Sequence, residues 1–169
     1  MNTVREKLAH GRLETGIGSG ILVRDVMTRD VISIVKYENI NNAVKSLSEH
    51  NISGLPVVDR ENRVIGIISE ADILSMVGMR KGHTFKDILR HLLGEPLPER
   101  KMGDLVGDIM NSPAVTIKPQ ANIDEAAKIM DERRIKRLPV VDDNNKLLGI
   151  ISRADIVRAV SSNLQLNKS

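Results

Sequence analysis

"LPVVDRENRVIGIISEADIL" occupies residues 55–74, and "LPVVDDNNKLLGIISRADIV" occupies residues 138–157. The near-identity extends well beyond these runs. Adding 83 to each position from Asp25 to Leu74 reaches Asp108 to Val157 without a gap, and 22 of the 50 pairs are identical. So clean a duplication means two copies of one supersecondary unit that pack on each other, because each alone leaves an apolar face exposed. Two copies are too few for a solenoid, so a pseudo-twofold pair is expected.

Within each copy the periodicities change in a definite order. "VISIV" (Val31 to Val35) is short and β-branched, which predicts a strand. Asn39 then stands as a helix N-cap before Ile40, Ala43, Val44 and Leu47 at helical spacing. "LPVVD", the polar turn "RENR" and "VIGII" predict two further strands in a hairpin, and Ser69 opens a second helix through Ile73 and Leu74. The second copy repeats the order with "VTI", a helix from Asn122 with Glu125 at the capping-box position, "LPVVD", "DNNK", "LLGII" and a helix from Ser152. Each copy therefore reads β-α-β-β-α, an α/β (α+β) fold.

Composition narrows the function classes. At 169 residues and 41% hydrophobic content the chain can bury an ordinary core. Its apolar runs fall far short of the roughly 18 residues of a membrane helix, and "MNTVREKLAHGRLETG" has no apolar signal-like region, so a cytoplasmic protein is expected. With no cysteine, disulfides, thiolate metal sites and cysteine nucleophiles are excluded. A formal charge of +3 from 25 basic and 22 acidic interleaved residues does not announce a nucleic-acid protein. One Tyr and one Phe leave almost no platform for stacking exposed bases.

The run "I-x-x-L-P-V-V-D", turn, "G-I-I-S-x-A-D-I", with "DVMT" and "DIMN" at the entrances, resembles the cystathionine-β-synthase (CBS) domain in both copies and in register. The resemblance implies a tandem pair, or Bateman module, with two clefts related by the pseudo-dyad. It further implies adenosyl ligands (AMP, ADP, ATP or S-adenosylmethionine), a homodimer, and a regulatory rather than enzymatic role toward a separate, unidentified protein. The expected organisation is an N-terminal arm and hinge (1–22), CBS domain 1 (23–78), a connecting helix and linker (79–105), CBS domain 2 (106–162) and a C-terminal tail (163–169).

Ser69 and Asp72, like Ser152 and Asp155, form S-x-x-D at a helix start. Spacing alone reads as a capping-box variant that satisfies free backbone N–H groups and opposes the helix dipole. The resemblance adds a second role, in which each Asp accepts from the ribose hydroxyls and each Ser lies near ribose or phosphate. A carboxylate suits a vicinal diol because it offers two acceptor oxygens. By the same match, Ile32, Ile52, Ser53, Gly54 and Ile67 would line the first pocket, and Val115, Ile135, Lys136, Arg137 and Ile150 the second. Their other reading is ordinary core or strand-end packing.

The copies differ before "LP": His50, Asn51, Ser53 and Gly54 in one, Arg133, Arg134, Lys136 and Arg137 in the other. As a helix end, "RRIKR" places cations at the C-terminal dipole. By resemblance, Lys136 and Arg137 reach across the dyad to clamp the phosphates of the ligand held by Asp72, while the ligand held by Asp155 faces Ser53 and Gly54. Two unequal sites are expected.

Elsewhere, "GIGSG" (Gly16 to Gly20) reads as a hinge. "HTFKDILRHLLGEPLPERK" carries a Phe85, Ile88, Leu89, Leu92, Leu93 stripe, read as a connecting helix or alternatively a partner-binding one. His10, His50, His83 and His91 lack a ligand pairing, so no metal is expected. Two rival functions stand beside the nucleotide reading: nucleic-acid binding through "RRIKR" and the N-terminal arm, and a structural dimerisation module with vestigial pockets.

Overall fold

The computed structural model describes residues 20–77 and 105–166. In chain order these are α1 (Val23–Val26), β1 (Ile34–Val35), α2 (Ile40–Glu49), β2 (Gly54–Val58), β3 (Val64–Ser69) and α3 (Glu70–Val77). The second copy supplies α4 (Val106–Ile109), α5 (Ile123–Glu132), β4 (Arg137–Val141), β5 (Leu147–Ser152) and α6 (Arg153–Leu166). In the first sheet β1 runs parallel to β2 and β2 antiparallel to β3. In the second, β4 pairs antiparallel with β5.

Two expectations are corrected in detail. "VISIV" shortens to Ile34–Val35, and "VTI" contributes only one parallel bridge, Ile117 to Val140, instead of a strand. Helix α6 runs from Arg153 to Leu166. "GIGSG" before Gly20, the arm before it and the "HTFKDILRHLL" segment lie outside the described residues.

The hairpins follow from their turn residues. Asp59 Oδ1 accepts from the backbone N–H of Glu61 and Arg63 at 3.0 and 2.8 Å, and Asp142 Oδ1 accepts from those of Asn144 and Lys146 at 2.9 and 2.8 Å. The aspartate that closes each "LPVVD" is thus a turn-former. Asn62 and Asn145, each at φ 62°, supply the left-handed residue the reversal needs. The amphipathic helices start as their residues require, although not identically. Asn39 Oδ1 accepts from Asn41 N at 2.9 Å, whereas Asn122 caps α5 without a side-chain bond, leaving Asp124 and Glu125 to face the dipole.

Each copy builds a core, and each core borrows from the other copy. Ile34, Ile40, Ala43, Val44, Leu47, Leu55, Val57, Ile68 and Ile73 enclose Val106, which belongs to the second repeat. Ile117, Ile123, Ala126, Met130, Leu138, Val140 and Ile151 enclose Val23 and Met27 of the first. The exchange is fixed by backbone pairing: Leu22 bridges Asn122, Thr28 bridges Ile150, and their equivalents Leu105 and Asn111 bridge Asn39 and Ile67. The sequence units beginning at 23 and 106 therefore cut across the structural cores, since each entrance helix lies on the opposite copy.

This crossing explains the glycine of "G-I-I". A Cβ at Gly66 would stand 2.7 Å from Met110 Sδ and 2.9 Å from the Asn111 carbonyl; one at Gly149 would stand 2.6 Å from Met27 Sδ and 2.9 Å from the Thr28 carbonyl. The opposite copy's chain passes too close for any side chain. A third cluster, Val58, Val64 and Val141 with Ala114 and Leu147, packs on the pseudo-dyad. There Val64 N donates to Asn145 O at 2.9 Å and Leu147 N to Asn62 O at 3.0 Å, zipping the two turns together.

Candidate functional site

Strand alternation decides which side chains reach the clefts. Along β3, Val64, Gly66 and Ile68 are buried, so Ile67 and Ser69 share the opposite face; Ile150 and Ser152 do the same on β5. Each strand then enters a helix whose third residue is aspartate. Asp72 Oδ2 accepts from Ser69 N at 2.8 Å and Ser69 Oγ at 2.6 Å. Asp155 Oδ2 accepts from Ser152 N and Oγ at the same distances, and Asp155 N donates to Ser152 Oγ at 3.3 Å, completing the reciprocal box. The capping role is therefore present in both copies, and it occupies one carboxylate oxygen of each.

Two cavities open across the dyad. One, of about 440 Å³, joins Ile67, Ser69 and Asp72 of the first copy to Val115, Ile135, Lys136 and Arg137 of the second. The other, of about 570 Å³, joins Ile150, Ser152 and Asp155 to Ile32, Ile52, Ser53 and Gly54. All the candidate residues thus gather at two places. The grouping corrects one expectation: Ile67 lies with Val115, Ile135 and Asp72, and Ile150 with Ile32, Ile52 and Asp155. The strand end and its aspartate come from one copy while the remaining wall comes from the other.

The cationic clamp is also differently placed. Lys136 and Arg137 line both cavities instead of serving the Asp72 cleft alone. The Arg137 guanidinium donates to Gly54 O at 3.2 Å and to Ser53 Oγ. It fits because its pseudo-symmetric counterpart is glycine: a Cβ on Gly54 would come within 3.1 Å of Arg137 Nε. Burial holds the Arg137 pKa below its usual value, opposed by the carboxylates of Glu70 and Asp155. Arg133 and Arg134 stand at the lip of the Asp72 cleft. In the Asp155 cleft Arg153 donates to Ile135 O and Met130 O at 3.1 and 3.0 Å, tying its guanidinium to the chain that leaves α5.

The cleft residues that sequence reasoning missed include Asn111, Arg158 and Thr28. Asn111 Nδ2 donates to Asp72 Oδ1 at 2.6 Å, and Arg158 pairs with Asp155 Oδ1. Thr28, the equivalent of Asn111, lines the Asp155 cleft. The i,i+3 spacing of Asp155 and Arg158 on a helix was the available signal; nothing local pointed to Asn111, which reaches Asp72 only through the crossing. Among the described residues no group of His, Cys, Asp or Glu could hold a metal ion, and no helix is long and apolar enough to cross a membrane.

Comparison with known proteins agrees with this architecture. The CBS domain profile matches twice, at residues 23–78 and 106–162. An uncharacterized protein of Methanocaldococcus jannaschii is 31% identical over 162 residues, spanning 85% of this chain and 93% of the relative. Among solved structures, CBSX2 in complex with AMP superposes with a TM-score of 0.69 at 28% identity, covering 85% of this chain and 98% of that one. The CBS domain pair of protein MJ0100, in complex with 5′-methylthioadenosine and S-adenosyl-L-methionine, superposes with a TM-score of 0.67 at 27% identity, covering 83% and 96%. Two in-register repeats, exchanged entrance helices and these matches place the chain in the CBS domain family, as a tandem pair.

Proposed function

We propose that this CBS pair is a regulatory module that binds adenosine-containing nucleotides (AMP, ADP, ATP or S-adenosylmethionine) in its two clefts and passes the bound state to a separate protein partner. The observation that carries the reading is the construction of each cleft: a Ser-x-x-Asp helix start from one copy faces a wall from the other, and Lys136 and Arg137 border both. Cavities of about 440 and 570 Å³ lie in the range that accepts small organic ligands. The first helix turns of α3 and α6 offer N–H groups to an anion, and Lys136 and Arg137 offer the countercharge. That CBSX2 was crystallised with AMP, and the MJ0100 pair with 5′-methylthioadenosine and S-adenosylmethionine, supports the ligand class. Signalling requires the protein to have two shapes that differ in affinity for the ligand, with homodimer geometry the natural variable.

The test is calorimetric titration of AMP, ATP and S-adenosylmethionine into wild type, Asp72→Ala and Asp155→Ala. A carboxylate that accepts from a ribose diol contributes roughly 1.5–3 kcal/mol, so each substitution should weaken its own cleft by about ten-fold or more. Lost capping, about 1 kcal/mol, should appear separately in the melting curve. Affinity for all three ligands unchanged in both variants would remove the aspartates from the site. No heat from any of them with wild type would remove the nucleotide reading.

A further inference from the structure

The two Ser-x-x-Asp carboxylates use one oxygen identically and the other differently. In the Asp72 cleft, Oδ1 accepts from the neutral amide of Asn111 and Asp72 remains partly exposed. In the Asp155 cleft, Oδ1 is paired with the Arg158 guanidinium, and Asp155 is 7% exposed. The residue equivalent to Arg158 in the first copy is Ser75, whose side chain is too short to make such a pair.

We propose that Arg158 sets the affinity of the Asp155 cleft: a ligand bearing a vicinal diol must displace this guanidinium from Asp155 Oδ1, so the Asp72 cleft fills first. The inference rests on the nucleotide reading above and deepens it by ranking the two clefts. A carboxylate oxygen has two acceptor sites, so Asp72 Oδ1 can keep its bond to Asn111 and still accept from a ligand hydroxyl. Asp155 Oδ1 is paired with a cation instead of a neutral amide, and the Asp155 side chain is only 8% exposed, which leaves little room beside the guanidinium for a second donor. Displacement is feasible because the Arg158 side chain is 74% exposed and its head can move into water. The exposed arm also limits the effect, since a pair held from the solvent side competes only modestly; binding that needs the open state is weakened in proportion to that state's population. A roughly five-fold penalty on the Asp155 cleft is expected.

The experiment titrates AMP into Asp72→Ala protein, which leaves the Asp155 cleft, with and without Arg158→Ser, the residue the first copy carries. Arg158→Ser should tighten AMP binding about five-fold, and Arg158→Gln, which keeps most of the stem without the charge, should tighten it in the same direction. Installing the pair in the other cleft by Ser75→Arg in Asp155→Ala protein should weaken AMP binding. Circular dichroism and melting confirm that each variant is folded. Unchanged or weaker AMP binding in both Arg158 variants overturns the proposal, the weaker result making Arg158 a ligand contact instead of a competitor. Wild type that binds AMP at two sites insensitive to residue 158 defeats this inference alone; wild type that takes up none of the adenosyl ligands defeats the nucleotide reading and this inference together.

Discussion

At the seam between the repeats, equivalent residues do equivalent work: Gly66 and Gly149 admit the crossing chain, Asn62 and Asn145 reverse the hairpins, and Val64 and Leu147 donate to the opposite turn. In the clefts the Ser-x-x-Asp starts are shared but the residues around them diverge, with Gly54 against Arg137 and Thr28 against Asn111, and Arg158 of one cleft has Ser75 as its equivalent. The seam must satisfy the same backbone approach twice, and a close approach leaves few residue choices. The clefts are open to solvent, so each side chain is tied only to the chemistry it serves. Identity between the repeats therefore reports what both copies do alike, at the seam glycines and at the Ser-x-x-Asp helix starts, and difference around those aspartates reports where the two clefts are set apart.

That contrast breaks first at the glycines. A methyl at Gly149 meets the Thr28 carbonyl at 2.9 Å, and one at Gly66 meets the Asn111 carbonyl at 2.9 Å; both obstacles are backbone and yield only if the crossing chain moves. Gly149→Ala and Gly66→Ala should each cost about 2 kcal/mol, the usual scale of overpacking. For a chain of this size that lowers the melting temperature on the order of 5 °C. Near-equal losses in the two variants would support an interlock shared by both copies. A large loss at one position and none at the other would show that the crossing holds only one repeat.

The second test falls on the clefts. Arg137 borders both cavities and donates to Ser53 and Gly54. Arg137→Ala should weaken ATP binding about ten-fold, as expected for loss of a charge-assisted contact, while adenosine binding changes little. Because the guanidinium faces both cavities, the loss should appear at both sites, in Asp72→Ala and Asp155→Ala backgrounds alike. A loss confined to the Asp72 cleft would restore the one-sided clamp that the sequence predicts. Equal losses for ATP and adenosine would place Arg137 outside phosphate recognition.

Much of this was legible in residues. The offset of 83 with 22 identities gave the pair, the β-branched runs and N-cap asparagines gave most elements, and S-x-x-D gave the helix starts that the hydrogen bonds bear out. What a linear reading lacked was the crossing. Val23 and Val106 are apolar residues beside their own repeats, and nothing in periodicity says that a short helix packs on the other copy. The misgrouping of Ile67 and Ile150 follows from that omission, because a strand end was assigned to the wall of its own repeat. Asn111 was invisible for the same reason, being 39 residues from Asp72 in sequence. Arg158 was different: it lies one helical turn after Asp155 and could have been read from spacing.

The finest test returns to the seam, where symmetry of backbone outruns symmetry of side chains. Asn62 and Asn145 share φ 62°, but Asn145 Nδ2 reaches Val64 O at 2.6 Å while Asn62 Nδ2 stands 3.5 Å from Leu147 O. Glycine accepts the left-handed backbone at either position and removes only the side chain, and its extra freedom in the unfolded chain is common to both substitutions. The difference between Asn145→Gly and Asn62→Gly therefore isolates one amide hydrogen bond, worth about 1 kcal/mol. Urea unfolding should find Asn145→Gly the less stable by about that amount, since a contact at 3.5 Å contributes little. Equal stabilities would mean that the two turns are energetically as symmetric as their backbones. The asymmetry of the molecule would then be confined to the walls of its clefts.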